Sequence, residues 1–287
     1  MKKTFFLILF TFNEIFGAIS PGAEVQVHFS DRGKHAQGID HSTIDHIQQW
    51  LKIPCLHLLI VANTKDYGIG KSVEVDVKDI QKSFDVIAEG MGFSLETLVL
   101  KGKTFTTTDI TEALKNLNTR SKDIIVFYYS GHGFNDIKLN TCWPTMNIKK
   151  KEVFGGNVIS CLKSKKKRSA LVLFDCCNSY PEKRMQDIRG QSFFLKKSDD
   201  LKGFCKLLLS FRGIASSAAA EAGEYATCTP SWGGTFSQGF LRSVQQLGAD
   251  EAVSWDKIFK LTTFTTAKIA EEVFHCDQHP IYSIEQS

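Results

Sequence analysis

Two short stretches of this chain carry side chains that could do chemistry together. Ser130-Gly131-His132-Gly133 sets one imidazole among glycines, and Asp175-Cys176-Cys177-Asn178-Ser179 sets two thiols behind an acid. A thiol is a nucleophile only as its thiolate, so it needs a base within reach to take its proton. An imidazole is the ordinary partner. The pair calls for acyl transfer, in which sulfur attacks a carbonyl, an oxyanion forms, and the imidazolium returns the proton to the leaving group.

The elements that must hold these groups follow from the residues before them. Asp123 to Tyr129, DIIVFYY, and Ala170 to Phe174, ALVLF, are apolar runs too short for helices. They read as strands buried on both faces of a parallel sheet. Each ends abruptly in its polar motif, at the carboxyl end of a strand, where open α/β sheets bind ligands. Two such ends can present the imidazole and a thiol side by side. The glycines leave room for a substrate backbone and free N–H donors for an oxyanion.

The rest of the chain supplies a matching frame. Cys55 to Ala62 reads as the first strand of the sheet and is followed by a loop at 63–72. Val77 to Ala88 has apolar residues near helical spacing, with Gly90 and Gly92 to stop it. Thr97 to Leu100 is a short strand, and Thr107 to Leu117 a helix begun by Thr108 or Asp109. Asn147 to Leu162 reads as a crossover helix interrupted at Gly155-Gly156, and 181–200 as a charged, exposed loop. Phe211 to Ser217 is a further strand, and Thr235 to Leu247 and Ser254 to Val273 are helices. Alternating strands and helices of these lengths predict an α/β fold with a mostly parallel central sheet flanked by helices.

Strand, SGHG, strand and DxC in that order resemble the caspase-like cysteine peptidases, most closely the metacaspase branch with its YSGHG and DxCxS motifs. The histidine precedes the cysteine by 177 − 132 = 45 residues, against about 50 in caspases. The likeness extends over about residues 55–285, including Gln278-His279-Pro280-Ile281-Tyr282, which resembles the closing strand of the family. It implies a caspase-like three-layer sandwich and an endopeptidase acting on protein or peptide substrates. Aligning Asp175 with the family's aspartate makes Cys177 the nucleophile and Cys176 an apolar filler, with His132 as the proton carrier. The N–H groups of Gly133 and Cys177 are then the expected oxyanion donors. Asp76, Ser130 and Asp175 match the acidic pocket that metacaspases use for Arg or Lys before the cut, although Asp76 would also serve as a helix N-cap. Asn178 stands where metacaspases commonly carry histidine, and Tyr180 where glycine is common. Two other readings remain open: a caspase-clan peptidase with a different specificity pocket, and a catalytically idle interaction module.

Composition limits what else the chain can be. A length of 287 residues and a hydrophobic content of 43% suffice for one large core. The formal charge of +4 is small, and its basic run at Lys163 to Arg168 is local, which argues against a nucleic-acid binder. Residues 1–20 have a positive start, a short apolar stretch and small residues at Ala18 and Ser20, as in a secretory leader, so export is expected and stable membrane insertion is not; the alternative is a buried N-terminal strand or helix of a cytoplasmic protein. Residues 21–54 are expected to form an N-terminal extension to a peptidase domain at 55–287. The eight cysteines show no paired CxxC spacing, and His28, His35, His41 and His46 fit no compact ligand set. No metal and no cofactor is expected. Asp187, Asp199 and Asp200 are too sparse for a calcium loop, so calcium dependence is not expected. The basic residues Lys183, Arg184, Arg189, Lys196 and Lys197 suggest self-cleavage between Pro181 and Lys202.

Overall fold

The computed structural model describes residues 24–29 in backbone, and 53–102, 105–148, 151–180, 195 and 201–287 in full. The expected leader, His35, His41 and His46, and the basic residues expected to be self-cleaved lie outside the described residues.

Seven strands form the central sheet in the order β1-β3-β2-β4-β8-β9-β12. These are β1 (Glu24–Phe29), β2 (Cys55–Ala62), β3 (Ser94–Lys101), β4 (Ile124–Ser130), β8 (Ser169–Asp175), β9 (Gly213–Ala218) and β12 (Ile281–Gln286), while β10 (Cys228–Thr229) and β11 (Gly233–Gly234) pair with each other outside it. The inner five run parallel. The two edge strands run antiparallel, β1 on β3 and β12 on β9. The sheet therefore begins at β1, before the Cys55 start that the apolar pattern gave. Glu24 to Phe29 alternates polar and apolar residues, as an edge strand does, and lacks the apolar run of a central one.

Alternation along the strands sorts the core into two layers. Leu56, Leu58 and Ile60 face one side, packed by α1 (Gly70–Met91), α4 (Lys202–Ser210), α5 (Thr235–Leu247) and α6 (Trp255–Ile269) through Phe84, Phe204, Phe240 and Phe259. Leu59, Val61 and Phe127 face the other, packed by α2 (Thr107–Asn116) and α3 (Gly155–Ser164) through Ile110, Leu114, Val158 and Leu162. Burying each such side chain contributes about 1.5–3 kcal/mol. The result is the expected three-layer α/β sandwich.

Several elements differ from the sequence pattern for identifiable reasons. Helix α1 starts at Gly70 and not at Val77, and the apolar period does not extend back to that start because Ser72 and Asp76 lie on its buried face. Gly90 is still helical, and Gly92 supplies the cap. Thr106, and neither Thr108 nor Asp109, opens α2, with its hydroxyl accepting from the Asp109 N–H and the Asp109 carboxylate accepting from the Thr106 N–H. The expected helix at 147–162 is in its first half a pair of strands, β6 (Thr145–Ile148) and β7 (Lys151–Phe154), joined to the short β5 (Gly133–Phe134). Gly155 does not interrupt a helix but begins α3. The last helix ends at Ile269 and closes in a π turn at Ala270–Phe274. Leu195 corrects the picture of 181–200 as wholly exposed, since it is buried in the core and its N–H donates to Ser83 Oγ at 3.0 Å. No helix among the described residues is long and apolar enough to cross a membrane.

Candidate active site

Strands β4 and β8 are paired in register with Ser130 opposite Asp175, so the two motifs leave the sheet together. The Gly131 N–H donates to the Asp175 carbonyl at 3.2 Å and extends the ladder past the strand ends. That N–H is therefore committed to the ladder. The loop carrying His132 is fixed from the other side, where the His132 carbonyl accepts from Tyr129 Oη at 2.6 Å and from the Asn147 N–H at 2.9 Å. The second of these bonds puts Gly133 at a non-hydrogen-bonded position of the β5-β6 ladder, opposite Met146. Its N–H is thus left out of the ladder. A Cβ on Gly133 would meet Cys176 Sγ and the Cys177 carbonyl, each at 2.6 Å. The motif glycine lets the histidine loop lie directly on the cysteine loop.

A cavity of about 880 Å³ opens over these ends, lined by His132, Gly133, Cys177, Asp76, Ser130 and Asp175 among others. The structure thus brings all six sequence-selected residues to one place. Cys176 is only 2% exposed, whereas Cys177 is partly exposed and engages Ala226, whose N–H donates to Sγ at 3.4 Å. Burial pushes the Cys177 thiol above its ordinary value, the nearby Asp175 adds to this, and the Ala226 N–H works against it. The resting sulfur is therefore a protonated thiol that needs a base.

His132 is 49% exposed on its side chain and pairs through Nε2 with Asp66 Oδ2 at 3.2 Å. Asp66 belongs to the 63–72 loop, which the sequence reading left without a role. Its Oδ1 accepts from the Gly68 and Ile69 N–H groups at 2.8 and 3.1 Å. Partial burial raises the Asp66 carboxyl, but those donors and His132 outweigh it and hold the carboxyl below the usual range. An Asp followed two and three residues later by such N–H donors is a common loop device, and only its distance from His132 in space marks it as part of the site.

Beneath the cavity lie two buried carboxylates. Asp76 is in the second turn of α1, not at its N-cap, so its alternative assignment as a helix cap does not hold. Its Oδ2 accepts from Ser130 Oγ and its Oδ1 from the Gly234 N–H, both at 2.7 Å. Asp175 Oδ2 accepts from the Ser237 N–H at 3.1 Å and from Ser237 Oγ at 2.5 Å. Burial and the Asp175 charge push Asp76 well above the ordinary carboxylate range, and burial pushes Asp175 up to about 6. Gly233 has φ +87°, and a Cβ there would strike Asp76, while one on Gly234 would strike Asp175. Only glycines let this backbone close over the acid pair.

Ala226, Thr227 and Cys228 add to the lining, and residues behind them hold it in place. Cys228 contacts Ser72, and burial raises its thiol to about 12. Gln278, read in the sequence only as part of a closing strand, is buried before β12 and accepts from the Thr227 N–H at 2.9 Å and Thr227 Oγ1 at 2.7 Å. It also donates to the Ala219 carbonyl at 3.0 Å. Asn178 is buried as well and donates to the Cys142 and Ala220 carbonyls, so it ties the loops together.

Residues 57–286 match the caspase domain family. Among solved structures, the crystal structure of caspase-1 from Spodoptera frugiperda aligns with a TM-score of 0.53 at 11% identity, covering 81% of this chain and 88% of that one. At that identity the likeness is one of fold. No curated protein matches the chain in sequence. Because the family match takes in every strand of the sheet from β3 to β12, both motifs and the acid pair, the chain belongs to the caspase domain family.

Proposed function

We propose that this protein is a cysteine endopeptidase of the metacaspase type that cleaves after Arg or Lys. The observation that carries the reading is the pair of buried carboxylates, Asp76 and Asp175, in the same cavity as Cys177 and His132. In the reaction, Cys177 Sγ gives its proton to His132 and attacks the peptide carbonyl, forming a tetrahedral oxyanion. The N–H of Gly133, free of its ladder, and that of Cys177 receive this charge, and each such donor lowers the barrier by about 3 kcal/mol. His132 then protonates the departing amine, and water hydrolyses the thioester by the same route in reverse. Asp66 acts on this step only through the imidazole it holds.

The pocket argues for a basic side chain. A guanidinium offers planar donors that bond carboxylate oxygens in pairs, and it would supply the positive charge that two adjacent buried acids lack. An acidic side chain would meet like charge there. The test is a peptide-library cleavage profile together with an arginine-bearing electrophilic probe. Cleavage after Arg or Lys, capture at Cys177 and loss of both in Cys177→Ala are expected. Asp76→Asn should lower kcat/KM for Arg substrates more than it lowers the melting temperature. A preference for Asp before the cut sinks the pocket assignment. Capture by no probe of any side chain would favour an interaction module.

Two extensions concern segments outside the described residues. Residues 1–20 are proposed as an export leader, so a chain starting at residue 21 should fold and remain soluble. Self-cleavage is proposed between Pro181 and Lys202, giving fragments that stay associated through the sheet. Mass spectrometry should find these fragments in the active protein and not in Cys177→Ala.

A further inference from the structure

A second cluster of chemically capable side chains lies at the opposite end of the sheet, at the amino ends of β2 and β3. Cys55 and His57 are two apart on β2 and so point to the same face, the one that also carries Leu59 and Val61. Glu96 stands directly opposite His57 in the parallel β2-β3 register. One thiol, one imidazole and one carboxylate therefore converge, with their ligand atoms all within 4.8 Å of one another. His57 Nδ1 is 3.9 Å from Cys55 Sγ and 3.1 Å from Glu96 Oε2.

We propose that Cys55 Sγ, His57 Nδ1 and Glu96 Oε2 form a binding site for a zinc-like divalent transition-metal ion that clips β2 to β3. A tetrahedral ion holding sulfur at about 2.3 Å and nitrogen or oxygen at about 2.0 Å separates its ligand atoms by about 3.3–3.6 Å. Two of the three separations, 3.9 and 3.1 Å, lie on either side of that range and the third is within 4.8 Å, so side-chain shifts of about an ångström complete the geometry. The mixture of thiolate, imidazole and carboxylate suits a borderline-soft ion and not calcium or magnesium, which take oxygen alone. Cys55 and His57 are buried, while the Glu96 side chain is 36% exposed and leaves one side open for the ion to enter and keep a water.

An independent feature stands behind the imidazole. The other ring nitrogen, His57 Nε2, lies 3.4 Å from Asp123 Oδ2. Metal-bound histidines ordinarily engage a carboxylate through the nitrogen that does not ligate, which fixes the ring and its tautomer. Asp123 is itself held by the Cys55 N–H at 2.9 Å and by Arg120 Nε at 3.0 Å, so the support is rigid. Without an ion the same groups make a buried ion-pair cluster, and the experiment separates the two. The site escapes linear motif reading because Glu96 is 39 residues from His57 (96 − 57) and joins it only through strand pairing.

The test titrates Co²⁺ into reduced, metal-free full-chain protein carrying Cys177→Ala, so that the active-site thiol contributes no signal. One equivalent should bind with a thiolate-to-cobalt charge-transfer band and tetrahedral d–d bands, and Zn²⁺ should displace it and raise the melting temperature. Cys55→Ser should remove the charge-transfer band. Glu96→Gln, at a partly exposed position outside the apolar core, should weaken binding about tenfold or more with the circular dichroism unchanged. No binding, a band that survives Cys55→Ser, or affinity unaffected by Glu96→Gln would each overturn the proposal.

Discussion

Cys176 is buried against Gly133 whereas Cys177 is partly exposed on the cavity, so substitutions at the two neighbours should separate cleanly. Cys177→Ala should abolish turnover without harm to the fold. Cys176→Ser should keep most of the turnover but destabilise the protein by about 1–3 kcal/mol, because it buries a hydroxyl where a thiol was packed. Reversed effects would move the nucleophile by one residue. In the proposed mechanism Asp66 is a positioning residue. It pairs with His132 Nε2 at 3.2 Å, so under the proposed mechanism Asp66→Asn should lower kcat by about 10–10²-fold, less than the 10²–10⁴ that a general base supplies. KM should change little, since Asp66 touches no part of the acid pair. A fall in kcat/KM through KM alone would refute the positioning role.

Helix α1 joins the two halves of the sandwich at the scale of elements through a buried polar stripe. Ser72 meets Cys228, Asp76 takes the Gly234 N–H, Asp79 takes Gln238, and Ser83 takes the Leu195 N–H. The same stripe explains why the start of α1 was hard to read. A helix that spends its inner face on a polar pocket loses the apolar period from which helices are recognised. By contrast, β2, β4 and β8 were legible because they are apolar runs buried along their whole length, and the Thr235–Leu247 bounds of α5 agree with the pattern because Phe236, Phe240, Leu241 and Val244 keep the helical apolar period. The motifs were legible because SGHG and DCC are local. Asp66, Gln278 and the Ala226–Cys228 wall were not, since their roles arise from contacts across the fold. Gln278 offers the test. It makes three hydrogen bonds that brace the wall beside Cys177, and Gln278→Ala strands buried groups on Thr227 and Ala219. Stability should fall by about 1–3 kcal/mol or more. KM should rise in the same variant, and an unchanged KM would show that the wall does not need its brace.

The acid pair links the pocket to the stability of the whole molecule. Burial raises the folded-state pKa of Asp175 to about 6, and burial together with the Asp175 charge raises that of Asp76 well above the ordinary value. For groups shifted upward, the folded state binds protons more tightly than the unfolded chain. Their contribution is therefore fully present below the unfolded carboxylate pKa and is lost as pH rises through the folded values. With the pocket empty, the protein should lose stability between about pH 4 and pH 7 relative to Asp76→Asn, which carries no second charge. An arginine in the pocket reverses the balance, because its fixed charge favours both carboxylates ionised and so expels protons bound to them. Binding of a noncleavable arginine peptide should therefore tighten as pH rises over that window. It should also release protons, measurable by titration calorimetry in buffers of different ionisation enthalpy. The melting-temperature increase given by the peptide should be larger at pH 7 than at pH 5. In Asp76→Asn both the proton release and its pH dependence should shrink. Equal proton release in the two proteins would show that the acid pair is not where the basic side chain goes.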